Sequence, residues 1–187
     1  MQNTRLIIGI SGSSGIIYGI RLLQVLQNLP VETHLVISKA AQLTRTLETN
    51  LSHDELKSLA DVYHRSTDLA APIASGSFKT LGMIIAPCSM KTLAEIAHGT
   101  TSSLLTRAAD VVLKERRRLV LMARETPLHL VHLQNMATIT HMGGIIFPPV
   151  PAFYQKPQSL DDVVNDSIGR VLNLLDLDSG LVKPWEK

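Results

Sequence analysis

The sequence predicts an α/β domain built on a parallel, doubly wound sheet, and three observations carry that reading. Runs of β-branched and aliphatic residues alternate along the chain with segments of helical period. The most apolar run, residues 80–87, has no polar alternation, as expected of a central strand buried on both faces. The opening run, residues 4–10, breaks into Ser11-Gly12-Ser13-Ser14-Gly15 and resumes as an apolar helix start at Ile16-Ile17-Tyr18, which reads as strand, tight turn and amphipathic helix. Glycines in that turn let the backbone approach a ligand, and the first helical N–H groups favour a phosphate or an electron-rich ring. Their positions, 9, 12 and 15, match neither the dinucleotide fingerprint nor a Walker loop, so the same residues also suit a compact strand-to-helix corner.

The 187 residues, 45% hydrophobic and 18% charged, are enough to bury a core and few enough for one domain, residues 1–187. A formal net charge of +2 gives no reason to expect a nucleic-acid partner. The single cysteine, Cys88, excludes an intrachain disulfide. With no long apolar run and no signal-like segment, the chain is expected to be cytoplasmic and not in a membrane. Three Phe, three Tyr and one Trp leave the core to aliphatic residues.

Taken in order, the first helix ends near Pro30, and residues 31–37 form a second strand with Glu32 and His34 on one side. A helix over 39–49 is expected to carry Ala40, Leu43 and Leu47 on one face, with Glu48 beside it. Ser52 starts another short helix, where Glu55 three residues on completes a capping box. Residues 61–64 suit a short strand, and residues 65–79 a loop of a length that is usually functional or mobile. After the central strand, Cys88 to Thr92 form a polar turn before a helix carrying Leu93, Ile96 and Ala97. Further helices are expected over 101–114 and 128–140, with strands at 118–123 and 144–147. Four prolines hold an extended arm near 148–158, suited to contacting neighbouring copies, and the C-terminal helix and tail occupy 159–187.

In a parallel sheet the segments that follow the strands converge on one edge. Here they are residues 11–15, Ser38, Cys88 to Thr92, and Arg124-Glu125, which together favour a shared pocket. Arg107 and Lys114 lie seven residues apart, on one helical face about 10 Å apart. They could grip a phosphate, or Asp110 between them could make a surface ion-pair ladder, with Arg116 to Arg118 favouring the helix C-terminus. No aromatic interleaves these charges, which argues against nucleic acid. His129, His132 and His141 have no nearby carboxylate or cysteine to complete a metal site, so they read as surface or packed residues. Cys88 reads as a small packed residue. Arg170 falls on the shoulder of the last helix's apolar stripe, where it snorkels to water or reaches an anion, and Trp185 docks the tail.

Several motifs resemble one family. They are the 11–19 turn Ser-Gly-Ser-Ser-Gly-Ile-Ile-Tyr-Gly, Ile37-Ser38-Lys39-Ala40-Ala41 with Glu48, Ala74-Ser75-Gly76-Ser77, Pro87-Cys88-Ser89, Arg107-Ala108-Ala109-Asp110, Leu113-Lys114-Glu115-Arg116-Arg117, Arg124-Glu125-Thr126-Pro127 and Phe153-Tyr154-Gln155-Lys156-Pro157. Together they resemble the UbiX-like flavin prenyltransferases, also called accessory or B subunits of phenolic acid decarboxylases. The likeness runs from Gly9 to Trp185.

The resemblance implies a Rossmann-like, flavodoxin-like subunit that binds FMN through Gly12, Ser13, Ser14, Ser38, Ser89, Met90, Lys91, Thr92 and Arg124. It implies that Tyr154 and Arg170 bind the phosphate of dimethylallyl phosphate, helped by Lys114 and Arg107, and that the allyl group is joined to N5 and C6 of reduced FMN without a metal. The product would serve a separate UbiD-like decarboxylase, and the chain would assemble as a homo-oligomer, a dodecamer, with its active site between subunits. Preorganised cations and a phenol can neutralise a leaving phosphate, which agrees with that chemistry. Ser14, Glu48 and Glu125 are the candidate acids and bases, alongside the released phosphate. Two departures stand out: Leu69 follows Asp68 where some members carry tryptophan, and Met90 and Lys91 fill a turn where smaller residues are common. The alternatives are a flavin-dependent decarboxylase acting directly and a flavin carrier. The first needs an early catalytic histidine and a Met-Asn clamp, which His34 and Asn135-Met136 do not supply.

Overall fold

Period-two alternation sorts the aliphatic residues of the central strands to the two faces of one sheet. In the computed structural model, which describes residues 4–182, the strands are β1 (Arg5–Ile10), β2 (Glu32–Ile37), β3 (Val62–His64), β4 (Gly82–Cys88), β5 (Arg118–Ala123) and β6 (Ile145–Ile146). Their spatial order is β3-β2-β1-β4-β5-β6, every neighbouring pair parallel. The chain therefore reverses its direction of travel between β1 and β4, and the carboxyl ends of those two strands open the crevice where doubly wound sheets take ligands.

The helices are α1 (Ile16–Leu26), α2 (Lys39–Glu48), α3 (His53–Ser58), α4 (Met90–Ala97), α5 (Leu104–Lys114), α6 (Leu130–His141) and α7 (Leu160–Asn173), with single 3-10 turns at Pro72–Ala74 and Phe153–Gln155. Leu6, Ile8 and Ile10 of β1, Ile84 of β4 and Val120 and Met122 of β5 face one layer, packed with α1 and α7. Ile7, Met83, Ile85, Leu119 and Leu121 face the other, packed with α4, α5 and Ile139 of α6. Both sides of each central strand are thus buried, which is why residues 80–87 show no polar alternation.

Strand boundaries follow the sequence closely, and β5 coincides with its expected span. Three local expectations need correction. Residues 90–92 are the first turn of α4, because Ser89 caps that helix. Ser103 likewise starts α5 at Leu104, three residues later than its apolar pattern suggested. The third concerns α2, where the apolar stripe faces outward: Leu43 and Leu47 are 64% and 76% exposed, and only Ala41 is buried. The contacts α2 makes with the body come through Ala41, Ala40 against Gly12 and Glu48 at the start of α1, and not through that stripe's leucines.

Glu32 and His34 do share a side of β2, with the carboxylate 2.8 Å from His34 Nε2. The capping box of Ser52 and Glu55 also forms. The 65–79 loop is stitched down at both ends. Leu104 N donates to Ser66 O at 2.8 Å, and the Arg117 guanidinium donates to Gly76 O at 2.6 Å and Phe78 O at 2.7 Å. Among the described residues no helix is long and apolar enough to cross a membrane. Trp185 lies outside the described residues.

Gly19 sets how closely α1 lies on the sheet. A Cβ there would run into the Ala86 carbonyl oxygen and come within 2.9 Å of Ile10 Cδ1. Gly19→Ala is therefore expected to lower stability by about 2 kcal/mol, the usual cost of overpacking a core, read as a lower urea midpoint.

Candidate functional site

The Ser11 hydroxyl joins two strand ends at the reversal point. It donates to Pro87 O at 3.0 Å and accepts from Ser89 N at 2.8 Å, while Ser11 itself is 1% exposed. Ser38 N bonds Ile10 O at 2.9 Å, and Arg124 N bonds Cys88 O at 3.2 Å, so the ends of β1, β2, β4 and β5 form one floor.

Helix starts rise from that floor. Ser38 caps α2 by accepting from Ala41 N at 3.1 Å, Ser89 caps α4 through Thr92 N at 3.3 Å, and Ser103 caps α5 through Thr106 N at 3.4 Å. A cavity of about 380 Å³ lies among these three helix starts. Of the residues expected to bind flavin, Gly12, Ser38, Ser89, Lys91 and Thr92 line it. Three helix N-termini favour an anion there, and Lys39 adds positive charge at the wall, whereas Lys91 is paired with Glu95, which also lines the cavity, at 3.3 Å.

The opening turn does something different from what its sequence suggested. The amides that begin α1 are already taken, because Glu48 Oε2 accepts from Gly15 N at 2.8 Å and from Ile16 N at 3.0 Å. An anion is therefore favoured at the starts of α2, α4 and α5 rather than at the start of α1. Burial works to raise the Glu48 pKa, but the Ser14 hydroxyl, the Gly15 and Ile16 amides and the Arg124 charge together hold the carboxyl below its usual range. Arg124 runs along Gly15, whose missing Cβ would sit 3.1 Å from Arg124 Cδ. Tyr18 lies beside it: burial raises the phenol's pKa, and the Arg124 charge partly opposes that.

An FMN fits these residues on two counts. Gly12 has no room for a Cβ against Ala40, so that corner is shaped by backbone, and the buried Ser13 hydroxyl has no hydrogen-bond partner. A polar ligand beside the turn would satisfy that hydroxyl.

None of the residues expected to hold the allylic phosphate lines the cavity. Arg107 pairs with Asp110 at 2.8 Å. Lys114 stands at the far end of α5, about 15 Å along the helix axis from Leu104. The expected ladder forms only in part, since Lys114 pairs with Glu115. Arg117 clamps the 76–78 backbone and Arg118 pairs with Asp176, so these cations hold tertiary contacts and do not serve the helix end. Tyr154 lies in the arm, half exposed, and Arg170 is exposed in the last turn of α7. Glu125 is exposed just after β5 and accepts from Thr126 N at 3.0 Å.

Residues that the sequence reading did not assign complete the cavity: Ser66 and Thr67 from the long loop, and Ser103 and Thr106 from the start of α5. The Ser103 to Thr106 spacing is itself a capping box and could have marked that helix start. Cys88 is fully buried, which pushes its thiol pKa up and leaves it inert. The His129 and His132 rings stack at 3.5 Å, and among the described residues no group of three or more His, Cys, Asp or Glu could hold a metal.

Residues 1–172 match the model of the Flavoprotein family. A flavin prenyltransferase UbiX of Escherichia coli strain K12 is 59% identical over 185 residues, covering 97% of this chain and 98% of that one. The chain belongs to the UbiX flavin prenyltransferase family. UbiX-family structures superpose on it closely. The crystal structure of AnUbiX in complex with FMN and dimethylallyl pyrophosphate is 50% identical with a TM-score of 0.97, covering 100% of this chain and 99% of that one. A dodecameric FMN-dependent UbiX-like decarboxylase from Escherichia coli O157:H7 is 49% identical with a TM-score of 0.96, covering 98% and 100%.

The Glu48 contact can be tested by pH. Its depressed folded pKa means the contact stabilises the fold above the ordinary carboxylate range and is lost as pH falls through the folded value. Glu48→Gln is expected to cost about 1 kcal/mol at neutral pH, read by thermal or urea unfolding, with the gap from the native chain closing as pH falls below the ordinary carboxylate range.

Proposed function

We propose that this UbiX-family enzyme joins the dimethylallyl group of dimethylallyl phosphate to N5 and C6 of reduced FMN and releases phosphate. The observation that carries this reading is the cavity among three helix N-termini at the reversal point of the sheet, in a chain of this family. We assign the FMN phosphate to the starts of α2 and α4, gripped by Ser38, Ser89, Met90, Lys91 and Thr92. The ring end lies against Gly12, Ser13, Ser14 and Arg124. Bound there, reduced FMN supplies two nucleophilic positions, N5 and C6.

The chain's own groups supply charge and proton handling. Glu48 is held ionised and hydrogen-bonded to Ser14, so the pair suits accepting a proton from the flavin edge. Glu125 projects from the same strand end as Arg124 and suits a second proton transfer. Arg107, Lys114, Tyr154 and Arg170 grip the allylic phosphate, whose departure requires that its growing charge be neutralised.

None of those four lines the cavity of its own chain, and the resemblance places the active site between subunits, so we infer that neighbouring copies bring them to it. Exposed apolar side chains on α2, α6 and the arm, Leu43, Leu47, Leu130, Val150 and Phe153 among them, supply surface for such contacts. The dodecameric relative supports a dodecamer here. We further propose that the prenylated flavin passes to a UbiD-like decarboxylase in the cytoplasm.

Direct decarboxylation is the second reading, since one close structural relative is described as a decarboxylase. His34 argues against it. The ring is 4% exposed inside β2 and is bonded to Glu32 and His64, so it is not available to a substrate.

Anaerobic incubation with reduced FMN and dimethylallyl phosphate, followed by mass spectrometry, is expected to show a flavin heavier by one five-carbon unit. An unchanged flavin, demonstrably bound, would leave decarboxylation or carriage standing. Arg170→Ala is expected to weaken donor binding by about 2 kcal/mol, roughly thirtyfold, with FMN retained. Glu125→Gln is expected to lower turnover by about 10² while donor affinity holds, as steady-state kinetics would read.

A further inference from the structure

Lys114 and Glu115 form a contact that a helix does not make by default. Adjacent residues on an α-helix point about 100° apart, so i and i+1 side chains do not face each other. Here α5 ends at Lys114, Glu115 is its C-cap, and Arg116 follows with φ 56°, in the left-handed region, so the chain turns sharply back. Glu115 Oε1 thereby folds onto Lys114 Nζ.

A second element fixes where the pair sits. Arg117 holds the Gly76 and Phe78 carbonyls, which pins the Ser75-Gly76-Ser77 backbone against the end of α5. Both charged groups lie on the bare Cα of Gly76. A Cβ there would stand 2.9 Å from Lys114 Nζ and closer still to Glu115 Oε1. The pairing with Lys114 holds the Glu115 carboxyl below its usual pKa, so it is ionised at neutral pH.

We propose that Glu115 is a built-in counter-ion that occupies Lys114 until the donor's phosphate displaces it, on a platform that Gly76 keeps open. The proposal rests on the reading that Lys114 grips the allylic phosphate. A phosphate dianion carries more charge than a single carboxylate, so donor binding can drive the exchange. Displacing Glu115 costs part of the donor's affinity, as any competing state does. Removing its charge therefore tightens donor binding. General damage to the fold would weaken it, so the direction separates a competing counter-ion from a structural role.

The test measures dimethylallyl phosphate binding to the FMN-loaded, assembled protein by calorimetry. Glu115→Gln is expected to lower the donor dissociation constant about fivefold at low salt, with the advantage shrinking as salt screens the charges. Glu115→Ala carries the same expectation if glutamine at 115 disturbs assembly. Lys114→Ala serves as the control and is expected to weaken the donor. If Lys114→Ala weakens binding but neither Glu115 variant tightens it, the counter-ion role is overturned. If Lys114→Ala leaves binding unchanged, the assignment of Lys114 itself fails, and the counter-ion role with it.

Discussion

One buried hydroxyl ties the site together. Ser11 stands where β1 ends, and its side chain bridges the carbonyl of Pro87 and the amide of Ser89. That bridge fixes the reversal point of the sheet and sets the start of α4 beside the 11–15 turn. The alternating aliphatic residues of β1, β4 and β5 supply the apolar burial, of order 2 kcal/mol for each fully buried side chain, that keeps these strand ends in register. Packing thus places the polar edge, and the polar edge places the chemistry.

Charge is partitioned at that edge. Four helices begin near it, and the chain itself neutralises one of them, α1, with Glu48. The starts of α2, α4 and α5 stay open to the cavity and supply its positive field. This division keeps an ionised carboxylate close to the 11–15 turn and leaves the starts of α2, α4 and α5 to the phosphate of the proposed flavin site. Glu48 is therefore a structural cap of α1 and, in the proposed mechanism, a proton acceptor.

The parallel sheet was legible because buried strands leave an unmistakable run such as residues 80–87, and because strand and helix periods alternate along the chain. Ser38, Ser89 and Thr92 were legible because polar residues that follow a buried strand converge on one edge. The role of Glu48 at α1 was not, since nothing local links position 48 to the amides of residues 15 and 16. Leu43 and Leu47 misled for a related reason: periodicity reports that a face is apolar, and the partner that covers it is not written in the same helix. The same limit applies to Arg107, Lys114, Tyr154 and Arg170. Their motifs mark the family, while none of the four lines the cavity of its own chain.

The central claim is that a working site takes its flavin cradle from one chain and its phosphate grip from another. Mixed oligomers test this most directly. Subunits carrying Arg124→Ala and subunits carrying Lys114→Ala would be purified separately, each with prenylation activity near zero, and then produced together by co-expression. Random mixing leaves about one site in four with both residues intact if two chains build each site, so activity should recover to about that fraction of the native level. A mixture no more active than its two parents would contradict the account and return the phosphate grip to the chain that holds the flavin.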